Sequence, residues 1–380
     1  MSPSTVLVTG ISGFVGSAVA YELLQKGYNV RGTVRSVNKK EQLDKLRKTL
    51  LGGGDDNDND SRLSFVECDL ISDVGWKEAI QGCDYVMHVA SPFPAHPPTD
   101  PEKELYQPAK DGTLRVLKEC AAQGSIVKHV VLTSSFVAIM SGHDHGDDYA
   151  YTEKDFSVVD KIDGYAKSKI IAENAAWDFV KSLDNETDSN VNKFTLSVIN
   201  PGFILGKSYT ENIRTSGEAI SVLLTGKYPL IINVNCDIVD VRDVAKAHVT
   251  CIEKYSKDKA EKASIVGERF LLVNETVSFK DIATILQEEF GRKYGYTSIP
   301  QTMMPDFIVK FGSIFVSQLK LVKGMLNKTI LYDNTKSKEI LGLQYMPVKQ
   351  SIIDMAHSLI EYGIVPPTEQ YKQAFPDKFA

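Results

Sequence analysis

The sequence predicts an α/β fold: a doubly wound parallel sheet with a smaller, mainly helical C-terminal lobe. Three observations predict it. Short apolar runs rich in β-branched residues alternate with helix-spaced runs over the first 200 residues. A glycine-rich turn joins the first strand to the first helix. After about Pro201 the pattern becomes mostly helical.

Taken in order, Thr5-Val6-Leu7-Val8-Thr9 has the character of a strand buried on both faces. Phe14, Val15, Ala18, Val19 and Leu23 recur at helical spacing, and Gly27 closes that helix. Asn29–Val34, Leu63–Val66, Asp84–Ala90, His129–Thr133 and Thr195–Ile199 supply further strands. Helices are expected near Trp76–Ile80, Leu105–Ala122 and Tyr165–Ser182. Strands separated by helices give parallel pairing with right-handed crossovers. The second half suggests helices near Asn212–Thr225, Val241–Tyr255, Phe279–Phe290, Asp306–Leu319 and Ser351–Tyr362, with strands near Leu230–Val234 and Arg269–Val273. The expected division is 1–200 for the sheet domain and 201–380 for a lobe over its C-terminal edge, with returns to the first domain near 235–255. Residues 52–60 and 184–190 are polar, acidic insertions with nothing to bury.

Composition narrows the function classes. Of the 380 residues, 43% are hydrophobic and 24% charged, which suits a globular chain with a real core. The net charge of −6, without a basic block, argues against nucleic acid. The N-terminus lacks the basic start and small-residue cleavage site of a signal peptide. Five cysteines with no CxxC pair fit reduced thiols in the cytoplasm. No apolar run reaches the ~18–20 residues of a membrane helix; Met303–Met325, broken by Asp306, Lys310, Lys320 and Lys323, reads as amphipathic.

Thr9-Gly10-Ile11-Ser12-Gly13-Phe14-Val15-Gly16 gives GxxGxxG between strand and helix. A pyrophosphate there needs a tight turn, close backbone approach and close helix–strand packing, and glycine meets all three. This is the dinucleotide turn of a Rossmann sheet. An NAD enzyme places Asp or Glu after the second strand to hold the ribose. From Gly27 to Lys40 there is no carboxylate, but there are Arg31, Arg35, Lys39 and Lys40. A guanidinium at Arg35, with Lys39 nearby, would pair with a 2′-phosphate, so the cofactor expected is NADP.

Tyr165 and Lys169 stand four apart on one helix face. A free phenol titrates near ~10, and an adjacent ammonium should lower that value. Reduction of a carbonyl by hydride needs such an acid for the oxygen. The strand His129–Thr133 ends in Ser134-Ser135, whose hydroxyls would face the ligand crevice.

The order TGxxGxxG, Asp69-Leu70, His88-Val89-Ala90-Ser91-Pro92, LTSS, YxxxK and Asn200-Pro201-Gly202 resembles the extended short-chain dehydrogenases/reductases. Within them it is similar to the dihydroflavonol-reductase-like group, which includes yeast methylglyoxal/isovaleraldehyde-type carbonyl reductases. Val239–Ala245 and Asn334–Ser337 with Leu341-Gly342 match as well. The resemblance implies Ser135 as the carbonyl-orienting hydroxyl, Tyr165 as proton donor and Lys169 as its activator and ribose ligand. It implies Asp69 and Leu70 near the adenine, and Ala90, Ser91 and Thr133 along the dinucleotide. Pro201, Gly202 and Phe203 would lie against the nicotinamide. Phe93, Phe136, Ile162 and Phe203 fall where the group lines its pocket, so a small hydrophobic carbonyl substrate is expected, on a monomer or homodimer.

Three alternatives stay open. A sugar-nucleotide epimerase or dehydratase uses the same Tyr/Lys pair with tightly held NAD, but Phe136–Met140 lacks the VYG-like stretch of the epimerases. A steroid-type dehydrogenase is a second, and a nucleotide-sensing module without turnover a third. The loop Ser141–Asp148 carries two histidines and three aspartates, but shows no second shell to fix a metal, and no metal is expected.

Overall fold

The computed structural model describes residues 3–52, 60–92, 98–146, 148–213, 216–312 and 324–379. Seven strands form one sheet, running across it as Leu63–Glu67, Asn29–Val34, Thr5–Val8, Tyr85–His88, His129–Thr133, Thr195–Pro201 and Arg269–Leu272. Every neighbouring pair is parallel. The expected doubly wound α/β sheet is therefore the observed one. Because all seven strands point the same way, every loop that follows a strand opens on one edge. That edge collects the glycine turn, Arg35, Asp69, Ala90, Ser135 and Pro201.

Alternation along the strands builds the two faces. Val6 and Val8 of the central strand face a core shared with the helices Phe14–Gln25 and Val241–Lys257. Leu7 between them faces the opposite core, with Val86, Val130 and Leu196 of neighbouring strands, under the helices Gln107–Ala121 and Gly164–Asp184. Both cores are fully buried, and each such aliphatic side chain contributes roughly 1.5–3 kcal/mol.

The second half is less separate than its sequence suggests. The strand expected near Arg269–Val273 is the seventh strand of the main sheet, paired with Thr195–Pro201. The helix Val241–Lys257 packs on the first helix, Phe14–Gln25. A small sheet of Phe203–Leu205, Asn235–Asp240 and Glu275–Ser278 carries the lobe. Two two-residue ladders join Leu230–Ile231 to Thr302–Met303 and Ala150–Tyr151 to Leu331–Tyr332. Leu230–Ile231 falls within the strand expected near Leu230–Val234, while the others were not legible, since two to six residues carry little periodicity. Arg242 ties the lobe down through Asp240 at 2.8 Å and Asp354 at 2.7 Å. Of the Asp306–Leu319 helix, Asp306–Gly312 is described, and the rest lies outside the described residues. Among the described residues, no helix is long and apolar enough to cross a membrane.

Candidate active site

The glycine turn is built by exclusion. Gly10 sits at φ +68°, and a Cβ there would meet the Ala90 Cβ at 3.0 Å. A Cβ on Gly16 would sit 2.3 Å from the Gly10 carbonyl oxygen, a contact no side chain can make. Gly13 precedes the helix Phe14–Gln25, which has no side-chain cap and no acidic residue in its first turn. The turn thus has the cradle and the positive helix end that a pyrophosphate needs. Thr9 braces it from behind. Its oxygen accepts from the Val89 and Ala90 amides at 3.0 and 2.9 Å, so its hydroxyl proton goes to His88 Nδ1 at 2.9 Å. His88 is fully buried, and burial drives its pKa down to about 3, so it is neutral.

On the same edge stand the three chemical groups. Ser135 is buried just past the strand His129–Thr133. Tyr165 and Lys169 belong to the helix Gly164–Asp184, whose first amide donates to the Tyr106 hydroxyl at 2.8 Å. Tyr165 is 44% exposed, yet burial pushes its hydroxyl up to about 12. The two agree if the ring faces the crevice while the hydroxyl end turns inward to its hydrogen bond with Ser135, which pulls the other way. The Lys169 ammonium lies 5.9 Å from the phenol ring centroid. Its own pKa falls to about 8, burial outweighing the support of Glu173. The expectation that Lys169 lowers the phenol's pKa is thus corrected for the protein alone: desolvation wins. Tyr165 is a loaded acid at neutral pH.

A family model for the NAD dependent epimerase/dehydratase family matches residues 6–267. The chain belongs to that family. Among its relatives, cinnamoyl-CoA reductase CAD2 of Medicago truncatula is 33% identical over 365 residues, spanning 94% of this chain and 96% of that protein. Gre2 from Candida albicans, solved in complex with NADPH, is 30% identical at a TM-score of 0.72, with 95% of this chain and 99% of that one covered. Yeast methylglyoxal/isovaleraldehyde reductase Gre2, also complexed with NADPH, is 25% identical at a TM-score of 0.73, covering 94% and 99%. The resemblance to the extended short-chain dehydrogenases/reductases, and to their yeast reductase group, is borne out.

For an epimerase/dehydratase family member, the remaining expected site residues fall as follows. Arg35 and Lys39 are exposed and line, with Ser12, a cavity of about 440 Å³. Arg31 lies elsewhere: its guanidinium donates to the Glu78, Ala79 and Gln81 carbonyls and caps a helix end. Asp69 accepts from the Ile71 amide at 3.2 Å, and buried Leu70 follows it. Ala90 and Ser91 follow their strand beside Gly10. Thr133 is on the right edge, but its hydroxyl donates to His248 Nε2 at 2.7 Å, because His248 Nδ1 must donate to the Val244 carbonyl. Gly202 packs so tightly on the Asp237 carbonyl that a Cβ would come within 2.2 Å. Pro201 precedes it, and its carbonyl accepts from the Phe136 amide at 3.0 Å. Phe136, Ile162, and Phe203 are half-buried. Phe136 leans on Tyr332 with ring centroids 6.1 Å apart. Phe93 lies outside the described residues.

The sequence reading missed several residues. Thr210 and Asn212 of the second half each donate to the Ser12 carbonyl at 3.0 Å, so the lobe holds the glycine turn in place. Thr33 accepts from the Gly10 amide at 2.9 Å. Glu173 and Arg269 lie behind the serine. Only Glu173, four residues past Lys169, left a signal in the sequence. In the Ser141–Asp148 loop, His143, His145 and Tyr149 stack on one another and Asp144 pairs with Lys161.

Proposed function

We propose that this chain reduces aldehydes or ketones to alcohols with NADPH, Tyr165 giving the proton to the carbonyl oxygen. One observation carries the reading: Ser135, Tyr165 and Lys169 converge on the sheet edge that also holds the glycine turn. The glycine turn and the helix end behind it would hold the pyrophosphate, Arg35 and Lys39 the 2′-phosphate, and Lys169 the ribose of the nicotinamide. Bound NADPH supplies the hydride. Ser135 donates to the substrate oxygen and orients it. Tyr165, kept protonated by its surroundings, delivers the proton as negative charge grows on that oxygen. At neutral pH the phenol carries the proton that reduction of a carbonyl requires. Half-buried Phe136, Ile162 and Phe203 favour an apolar carbonyl compound. Relatives solved with NADPH and a cinnamoyl-CoA reductase relative support this reading over the epimerase alternative.

The purified protein is the test. It should come free of nucleotide and consume NADPH, and NADH poorly, when given aliphatic and aromatic aldehydes. Tightly retained NAD, with no NADPH consumption across an aldehyde and ketone panel, would contradict the reading and favour an epimerase.

A further inference from the structure

Behind the three chemical groups lies a carboxylate that the mechanism above does not use. Glu173 is 1% exposed and stands one helical turn beyond Lys169. Its Oε2 accepts from the Ser134 hydroxyl and from Asn200 Nδ2, the latter at 2.9 Å. Its Oε1 accepts from Trp177 Nε1 at 3.2 Å and lies 2.7 Å from Arg269 Nε, a close ion pair rather than an aligned hydrogen bond. Asn200 also donates to the Ser135 carbonyl at 3.1 Å. One carboxylate therefore touches the serine turn, the strand before Pro201, the edge strand Arg269–Leu272 and its own helix.

Arg269 is committed to this place. It is 4% exposed, and its outer nitrogens donate to the carbonyls of Glu153, Asp155 and Ala138. The other groups around the centre carry little compensating charge. His88, from the strand Tyr85–His88, is neutral and slightly disfavoured by Lys169. His248, from the helix Val241–Lys257, is neutral with its pKa down to about 4. Tyr165 is held protonated, and Tyr106 faces Lys167 on the outer side. Glu153 lies beyond Arg269, accepting from the Leu271 amide, with its pKa raised by burial. Glu173 is thus the carboxylate that supports the buried Lys169 ammonium, and Arg269 is the cation paired with that carboxylate.

We propose that Glu173 is a positioning residue of the reductase centre: its carboxylate, held by Arg269, fixes the Ser134–Ser135 turn through the Ser134 hydroxyl and Asn200, and it is the charge that Lys169 faces one helical turn away. The proposal rests on the function proposed above only for its consequence in turnover. The electrostatic part belongs to the protein without nucleotide.

The experiment is a titration of the full chain labelled with ε-¹³C-lysine, followed by NMR without nucleotide, with Lys169→Met identifying the resonance. Wild-type Lys169 should titrate near 8. Glu173→Gln should move that midpoint down, and Arg269→Met should move it up, each by about one pH unit or more. Arg269→Lys, which keeps the cation, should stay near wild type, and the double variant should return toward it. The alkaline limb of NADPH-dependent turnover should shift in the same opposed directions. Loss of structure alone would not move two variants oppositely. Midpoints that stay put, or that move the same way in both variants, overturn the proposal. If Glu173→Gln does not fold, Glu173→Asp, which draws the carboxylate back by one methylene, takes its place and should lower the midpoint, the direction opposite to loosened burial. Wild-type protein inactive with NADPH would sink the proposed function while leaving the titration result standing.

Discussion

The proposed nucleotide side and the proposed proton-transfer side of this crevice lie on one sheet edge but are held by different physics. The glycine turn is shaped by what is missing: Gly10 and Gly16 leave room that a single carbon would close. The Ser135–Tyr165–Lys169 centre is shaped by what is present: buried charges and hydrogen bonds from four elements meet behind it. Excluded volume tolerates no substitution but leaves little for pH to act on. A buried polar centre tolerates some exchange of groups, yet its state follows every nearby charge. The Gre2 relatives, similar over almost their whole length, share the fold that sets these sides together.

Breaking the two sides separately is the sharpest way to test the contrast. Tyr165→Phe should have the largest effect, a loss of about 10²–10⁴-fold in kcat/KM, with NADPH affinity nearly unchanged. An equal fall in affinity would show that the two sides are not separable. Gly16→Ala should do the opposite kind of damage. Overpacking against the Gly10 carbonyl should cost about 3 kcal/mol of stability and weaken NADPH binding, read by thermal unfolding and by titration calorimetry. A variant with wild-type stability and affinity would refute the close approach. Arg35→Asp should weaken NADPH by roughly 10–100-fold, as expected for a charge-assisted bond turned repulsive, and leave NADH almost untouched. An unchanged preference would remove Arg35 from the phosphate site.

Acid sensitivity is the smallest effect for any one group. Buried His88, His129 and His248 have pKa values lowered to about 3, 3 and 4. In the unfolded chain each titrates near its ordinary value of about 6.5. The unfolded state therefore binds protons that the folded state refuses. Stability from these groups is full above about 6.5 and is lost as pH falls through their folded values, at about 1.4 kcal/mol per pH unit for each. Urea midpoints measured from pH 7 to pH 4 should fall steadily. A flat profile would mean that these rings are not buried neutral.

Much of this was legible in the sequence, for stateable reasons. The turn was readable because its demands are local: three glycines, a strand before and a helix after. Tyr165 and Lys169 were readable because four residues make one helical turn, and the pair Ser134-Ser135 because a core strand ends beside it, the choice of Ser135 coming from the family resemblance. Thr9, Thr210 and Asn212 were not, since their hydrogen bonds join residues 79 to 200 positions apart. Arg269 was not, because an arginine at the start of a short strand carries no mark of the carboxylate it will meet. The direction of Tyr165's pKa was misjudged for a related reason. Spacing shows that a lysine is near, but not how deeply both groups are buried.

A carbonyl reductase at this edge would leave its mark on the product. This is tested most directly by supplying NADPH bearing deuterium on the transferable position of its ring, with an aldehyde the protein consumes, and locating the label. One deuterium is expected on the carbinol carbon of the product, with a solvent proton on its oxygen. Alcohol formed without the label would contradict it.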